Sequence, residues 1–150
     1  MAYYFAYGSN ADTSRLENRI KRKIKGKRAE LKDHVLHFSK DNTQTDAYAD
    51  VMEKPGELVY GVLYELTDKE IKTLDKFEGI GVKGDESYVR KHMKVLCEGK
   101  TYSAFVYVMT TKRKFEQPKD QYLEHITKGF KEHRFNETII NKVRAIAKGK

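Results

Sequence analysis

A chain of 150 residues that is 39% hydrophobic and 11% aromatic carries enough apolar side chain to bury one core, which argues against global disorder and for a single domain over residues 1–150. Its one cysteine, Cys97, excludes an internal disulfide and suits a reducing cytoplasm, and no stretch approaches the roughly 18 apolar residues a membrane helix needs. The formal net charge of +8 raises the question of a polyanionic partner, but 22 acids stand beside 30 Lys and Arg, so much of that charge is compensated locally and a nucleic-acid partner is disfavoured.

The N-terminus has no basic start and its apolar run breaks at Gly8, so it does not read as a signal peptide. Residues 2–7, aromatic and apolar, predict a strand, and Gly8-Ser9-Asn10 a turn. Asp12 stands where it would cap a first helix with Leu16 and Ile20 on one face. The most basic stretch follows at 19–28 and reads as a solvated helix end and turn. Residues 28–39 predict a strand with Val35, Leu36 and Phe38 as core candidates, then a polar loop at 41–45. Extended structure resumes at 47–52, and Lys54-Pro55-Gly56 signals a turn. In 57–66, Leu58, Tyr60, Val62 and Tyr64 alternate with Val59, Gly61 and Leu63, so both faces are apolar and the strand is central.

Thr67 with Glu70 makes a capping box. The helix it opens runs through Ile71, Leu74 and Phe77 to Gly79 as C-cap. A glycine-containing polar loop at 80–86 precedes two strands, 88–97 and 100–109, joined by the two-residue hairpin Glu98-Gly99. After a loop at 112–119, residues 120–131 and 136–147 carry helical stripes, Tyr122, Ile126, Phe130 and then Ile139, Val143, Ile146. No internal repeat is present. The class is α+β, a small mixed β-barrel or strongly curved sheet with flanking helices and a helical C-terminal end.

Glu78 is the acid that stands out. It lies four residues after Leu74 and seven after Ile71, which puts it on the buried face of its helix. Burial and the negative end of the helix dipole both disfavour the carboxylate and raise its pKa toward the range of a general acid–base. The same spacing fits a helix-end glutamate turned to solvent, and on spacing alone that is the simpler reading. The turn Tyr7-Gly8-Ser9-Asn10 is equally open: Gly8 lets backbone approach a ligand and successive amides form an anion nest, yet most such turns are only turns. Ser9 has no His/Asp partner pattern, so it does not read as a nucleophile. The five histidines show no metal spacing; His34 and His37 fall on opposite faces of a strand. Cys97 reads as a small core residue, and no phosphate loop or dinucleotide fingerprint occurs.

Taken together, the segments Tyr4-Phe5-Ala6-Tyr7-Gly8-Ser9-Asn10, Val59-Tyr60-Gly61-Val62-Leu63-Tyr64, Leu74-Asp75-Lys76-Phe77-Glu78-Gly79, Tyr88, Tyr107-Val108-Met109 and Pro118 four residues before Tyr122 follow one another in an order that resembles the γ-glutamylcyclotransferase (AIG2-like) family. The resemblance covers nearly the whole chain. It implies a small β-barrel with flanking helices and release of 5-oxoproline from a small-molecule γ-glutamyl substrate, with no cofactor and no metal. It implies Glu78 as the catalytic acid–base, Tyr7, Gly8, Ser9 and Asn10 as the substrate loop, and Tyr88 and Tyr122 as tyrosines of the pocket.

The chain departs from the family pattern at Ala11, where a larger apolar residue is usual. It also lacks tryptophan and glycine in 47–54, and has Lys119 rather than serine after Pro118. These positions bear on substrate identity more than on reaction type. Two other readings stay open: a non-catalytic γ-glutamyl-ligand binding protein on the same fold, and a basic nucleic-acid-binding protein using residues 21–28. A monomer or homodimer, free of the membrane, is expected.

Overall fold

The computed structural model describes residues 1–40, 46–78, 88–109 and 114–150. Five strands, β1 (Ala2–Ala6), β2 (Lys27–Ser39), β3 (Tyr48–Leu66), β4 (Tyr88–Cys97) and β5 (Lys100–Met109), close into a barrel in the order β1-β3-β2-β4-β5. β3 runs between β1 and β2, both antiparallel to it, with Phe5 opposite Leu63 and Leu31 opposite Val59. The barrel closes where β1 runs parallel to β5 at Tyr3 and Tyr4, and where Glu30 of β2 meets Leu96 of β4. One face of the sheet buries Phe5, Leu31, Val59 and Leu63, and the other buries Tyr4, Tyr64 and Leu66.

The signal at Lys54-Pro55-Gly56 does not separate two strands. All three residues lie inside β3, at a lapse in its ladder with β2: Lys32 pairs with Leu58, but His34 already pairs with Glu53. Proline has no N–H to give the ladder and Gly56 takes a left-handed φ of 85°, so the segment is extruded as a bulge. The Asp33 carboxylate, on a residue itself at φ 60°, accepts the Gly56 N–H at 2.9 Å. Such bulges bend strands, which suits a long strand wrapped into a small barrel. The Glu98-Gly99 hairpin forms as expected, with both residues at positive φ, 50° and 77°.

Four helices flank the barrel: α1 (Thr13–Ile20), α2 (Asp68–Phe77), α3 (Asp120–Glu132) and α4 (Glu137–Ala147). The capping box forms, Thr67 Oγ1 accepting from the Glu70 N–H at 3.2 Å and Glu70 Oε1 from the Thr67 N–H at 2.9 Å. Glu70 is also held by Arg22 through two bonds of 2.6 and 2.9 Å, so part of the basic stretch is spent on a helix start. Lys23 and Lys27 pair with Glu17 and Glu98. Helix α2 ends at Phe77 with Glu78 as its cap; Gly79 and the expected loops at 80–86 and 41–45 lie outside the described residues, as does the start of the one at 112–119. Among the described residues no helix is long and apolar enough to cross a membrane.

Candidate active site

The turn after β1 is short and buried. Ala11 N–H donates to Gly8 O (3.0 Å) and Asp12 N–H to Ser9 O (3.1 Å), one turn of 3-10 helix over Ser9–Ala11. Those bonds use the amides of Ala11 and Asp12 and leave those of Ser9 and Asn10 outside the turn's own pairing. Helix α3 crosses directly over this turn at Gly129, where a Cβ would come within 2.2 Å of the Ala11 carbonyl. Ala11, fully buried beneath it, is small for the same reason.

Three tyrosines named from the sequence converge on one peptide of β3. Tyr88 donates its hydroxyl to Ala49 O at 2.7 Å, and the Tyr7 hydroxyl, hydrogen-bonded to the Tyr107 carbonyl, lies 3.4 Å from the same oxygen. Tyr122 accepts the Ala49 N–H at 3.0 Å, which leaves its own proton to be donated elsewhere. The Tyr122 hydroxyl also lies 3.2 Å from where a Cβ at Gly8 would stand, so Gly8 is what lets α3 bring this phenol onto the turn. Burial pushes the hydroxyls of Tyr7, Tyr88 and Tyr122 above their ordinary pKa, so they remain protonated donors.

Glu78 faces this group rather than solvent. Burial lifts its carboxyl from 4.5 to about 7, against the pull of Arg19 and Arg15 and with a smaller push from Asp75. Burial raises Tyr4, Tyr7, Tyr88, Tyr107 and Tyr122, and the Glu78 charge adds a smaller push to each. A carboxyl near 7 exchanges a proton freely at physiological pH. The structure thus gathers all seven residues singled out in the sequence, with the Ser9 side chain toward Arg15 and the Asn10 side chain between Arg19 and Tyr4.

Several residues here escaped the sequence reading. Asp12 stands at the N-cap of α1 but its carboxylate makes no cap bond; it binds Ser14 (2.7 Å), His125 (2.8 Å) and Lys128 (3.0 Å). Burial alone would raise Asp12, but those three hydrogen bonds outweigh it and hold it at about 2. Arg15 donates to Ser9 Oγ at 3.1 Å and approaches His125 Nε2 at 3.4 Å. Arg19 donates to Asn10 Oδ1 at 3.3 Å, and Asn10 Nδ2 donates to the Tyr4 hydroxyl at 3.0 Å. On the far side of Glu78, Tyr107 donates to Asp75 at 2.7 Å and Arg90 pairs with it at 3.3 Å. A usable signal existed for the arginines: positions 15 and 19 share one helix face directly after the turn. Among the described residues no group of three or more His, Cys, Asp and Glu is arranged for a metal ion. Cys97 is buried and its thiol is pushed up by that burial.

Fold and site define a small α+β barrel with acid–base groups gathered around the turn after its first strand. The sequence matches the family "Gamma-glutamyl cyclotransferase, AIG2-like" over residues 4–129, and the chain belongs to that family. It is 31% identical over 149 residues to a γ-glutamylcyclotransferase of Homo sapiens, covering 95% of this chain and 77% of that protein. A γ-glutamylcyclotransferase of Bos taurus is 32% identical over 136 residues, 87% of this chain and 70% of that protein. A solved structure of a gamma-glutamyl cyclotransferase superposes with a TM-score of 0.83 at 30% identity, covering 97% of this chain and 87% of that one. The protein is an enzyme of this class.

Proposed function

We propose that the protein cyclises the γ-glutamyl part of a small γ-glutamyl amide, releasing 5-oxoproline and a free amine or amino acid, with Glu78 as general acid–base. The observation that carries this reading is the Glu78 carboxyl held at about 7 beside a turn whose Ser9 and Asn10 amides lie outside the turn's own pairing, and a ring of neutral tyrosines. Glu78 takes a proton from the substrate's α-ammonium. The freed amine attacks the γ-carbonyl carbon, forming the ring C–N bond. The tetrahedral centre then collapses, the bond to the leaving nitrogen breaks, and Glu78 returns the proton to that nitrogen; it then takes the second proton from the ring nitrogen and passes it to the departing amine, which leaves as an ammonium. Atoms and protons balance within substrate and Glu78.

Nucleophile and electrophile belong to one molecule, so holding the glutamyl chain curled supplies much of the acceleration. The amides of Ser9 and Asn10 and the hydroxyl of Tyr122, whose proton is not used at Ala49, are the donors for the glutamyl portion and the developing oxyanion, while Tyr88, whose proton goes to the Ala49 carbonyl, lines the pocket. Tyr7 and Gly8 shape the turn that presents them. The reaction is placed in the cytoplasm, in keeping with the lone reduced cysteine. The test is 5-oxoproline formation by the purified protein on γ-glutamyl-alanine, γ-glutamyl-ε-lysine and glutathione, with Glu78→Gln alongside. Product from the wild type alone supports the reading. Binding of these compounds without product, seen as thermal stabilisation, replaces it with a binding protein on the same fold.

A further inference from the structure

Helix α1 carries no part of the chemistry above, yet two of its side chains reach the three elements that do. Arg15 and Arg19, both half-buried, stand one turn apart on the same face. Arg15 donates to Ser9 Oγ at 3.1 Å and faces His125 of α3 at 3.4 Å. An arginine can only donate, so His125 Nε2 accepts and its other nitrogen carries the proton toward Asp12 at 2.8 Å. Helix α3 is the element that presents Tyr122. Arg19 donates to Asn10 Oδ1 at 3.3 Å while its guanidinium lies 4.6 Å from the centre of the Phe77 ring. Phe77 is the last residue of α2 and the neighbour of Glu78. Phe77 is 56% exposed, and this guanidinium lies over its ring.

We propose that Arg19 and Arg15 are positioning residues, a two-armed brace that ties the turn through Asn10 to the end of α2 and through Ser9 to α3. The brace fixes at one separation the turn that holds the glutamyl group and the carboxyl that moves its proton. It deepens the reaction proposed above and rests on it, since only in that reaction is this separation a catalytic quantity. Arginine is suited to both arms because its planar fork can hydrogen-bond in plane and stack on a ring face at once, which lysine's point charge cannot do. The same cations also face Glu78 electrostatically, together with Asp75 of α2, Tyr4 and Tyr7 of the N-terminal segment, Tyr88 of β4, Tyr107 of β5 and Tyr122 of α3. Of these only the arginines hold the carboxyl down.

The experiment compares wild type, Arg19→Met and Arg19→Lys by steady-state kinetics across pH, by hydrogen exchange at the amides of residues 9–11, and by a carbon-13 titration of the Glu78 carboxyl. Arg19→Met is expected to lower kcat between about ten- and a hundredfold, the loss typical of a misplaced reacting group. It should also speed exchange in the turn and move the Glu78 midpoint to higher pH. Arg19→Lys keeps a cation but neither fork nor stack; the midpoint stays and kcat remains low. Arg144→Gln, at a half-buried arginine of α4 paired with Glu137, leaves all three readings unchanged. If Arg19→Met does not fold, Phe77→Leu removes the stacking partner from an exposed position and is expected to lower kcat and loosen the turn alike. A wild type that makes no 5-oxoproline overturns the reaction but not the brace, which the exchange and titration still decide. Turn exchange and the Glu78 midpoint unmoved in Arg19→Met overturn the brace, as does a kcat within twofold of an active wild type.

Discussion

Replacing Glu78 by glutamine should stabilise the protein, and only at high pH. The carboxyl sits at 4.5 in the unfolded chain and at about 7 in the folded one. Below pH 4.5 both states carry the proton and the group is neutral in its effect. Between 4.5 and about 7 the folded state binds more protons than the unfolded state, so stability falls as pH rises. Above about 7 the penalty is complete, because the folded protein must hold a desolvated carboxylate.

At about 1.4 kcal/mol per pKa unit the difference is about 3–4 kcal/mol, and solvent at the edge of this half-buried side chain trims it toward ~2 kcal/mol. For a domain of this size that is a rise in Tm of several degrees, roughly 2–4 °C per kcal/mol. Urea unfolding of wild type and Glu78→Gln from pH 4.5 to 8.5 measures it, and every other titrating group cancels in the difference between the two proteins. The variant's advantage should grow across that range and level off above pH 8. Curves that stay parallel, or a variant less stable at pH 8.5, would refute the claim that Glu78 is desolvated.

Three further outcomes follow from the geometry. Gly129→Ala drives a Cβ into the Ala11 backbone; it should cost on the order of 3 kcal/mol in urea unfolding and abolish turnover by displacing the turn, whereas Gln121→Ala, at an exposed position of α3, would be tolerated. Asp12→Asn should lose about 2 kcal/mol at pH 7; because the native carboxyl is held at about 2, the deficit is present above pH 3.8 and fades as pH falls toward 2, which acid unfolding of the pair will show. Thr67→Ala removes the capping hydroxyl of α2 and should cost about 1 kcal/mol by urea unfolding, with kcat/KM nearly unchanged because Glu78 sits at the other end of that helix.

What could be read from the sequence was what local chemistry decides. The capping box at Thr67 and Glu70, the Glu98-Gly99 hairpin and the doubly apolar strand around Val62 are each dictated within a few residues, and each forms. The bulge at Lys54-Pro55-Gly56 misled for an instructive reason: a proline and a glycine mark a broken ladder, and whether the chain then turns back or continues is settled by the partner strand, here through Asp33. The site was legible only in pieces. Glu78 followed from helical spacing but its surroundings did not, since the tyrosines it faces come from the N-terminal segment, β4, β5 and α3. The brace of Arg15 and Arg19 and the Asp12–His125–Lys128 cluster were hidden because they are contacts between distant segments; Asp12 at a helix start has a ready local role as a cap, and tertiary partners took its carboxylate instead.

The most direct test of the account is single-turnover formation of 5-oxoproline by wild type and Glu78→Gln at pH 7.5, with folding of both verified by near-ultraviolet circular dichroism. The account predicts product from the wild type and a rate at least about a hundredfold lower from the variant, the usual range for a lost general acid–base. A folded Glu78→Gln that forms 5-oxoproline at the wild-type rate would contradict it.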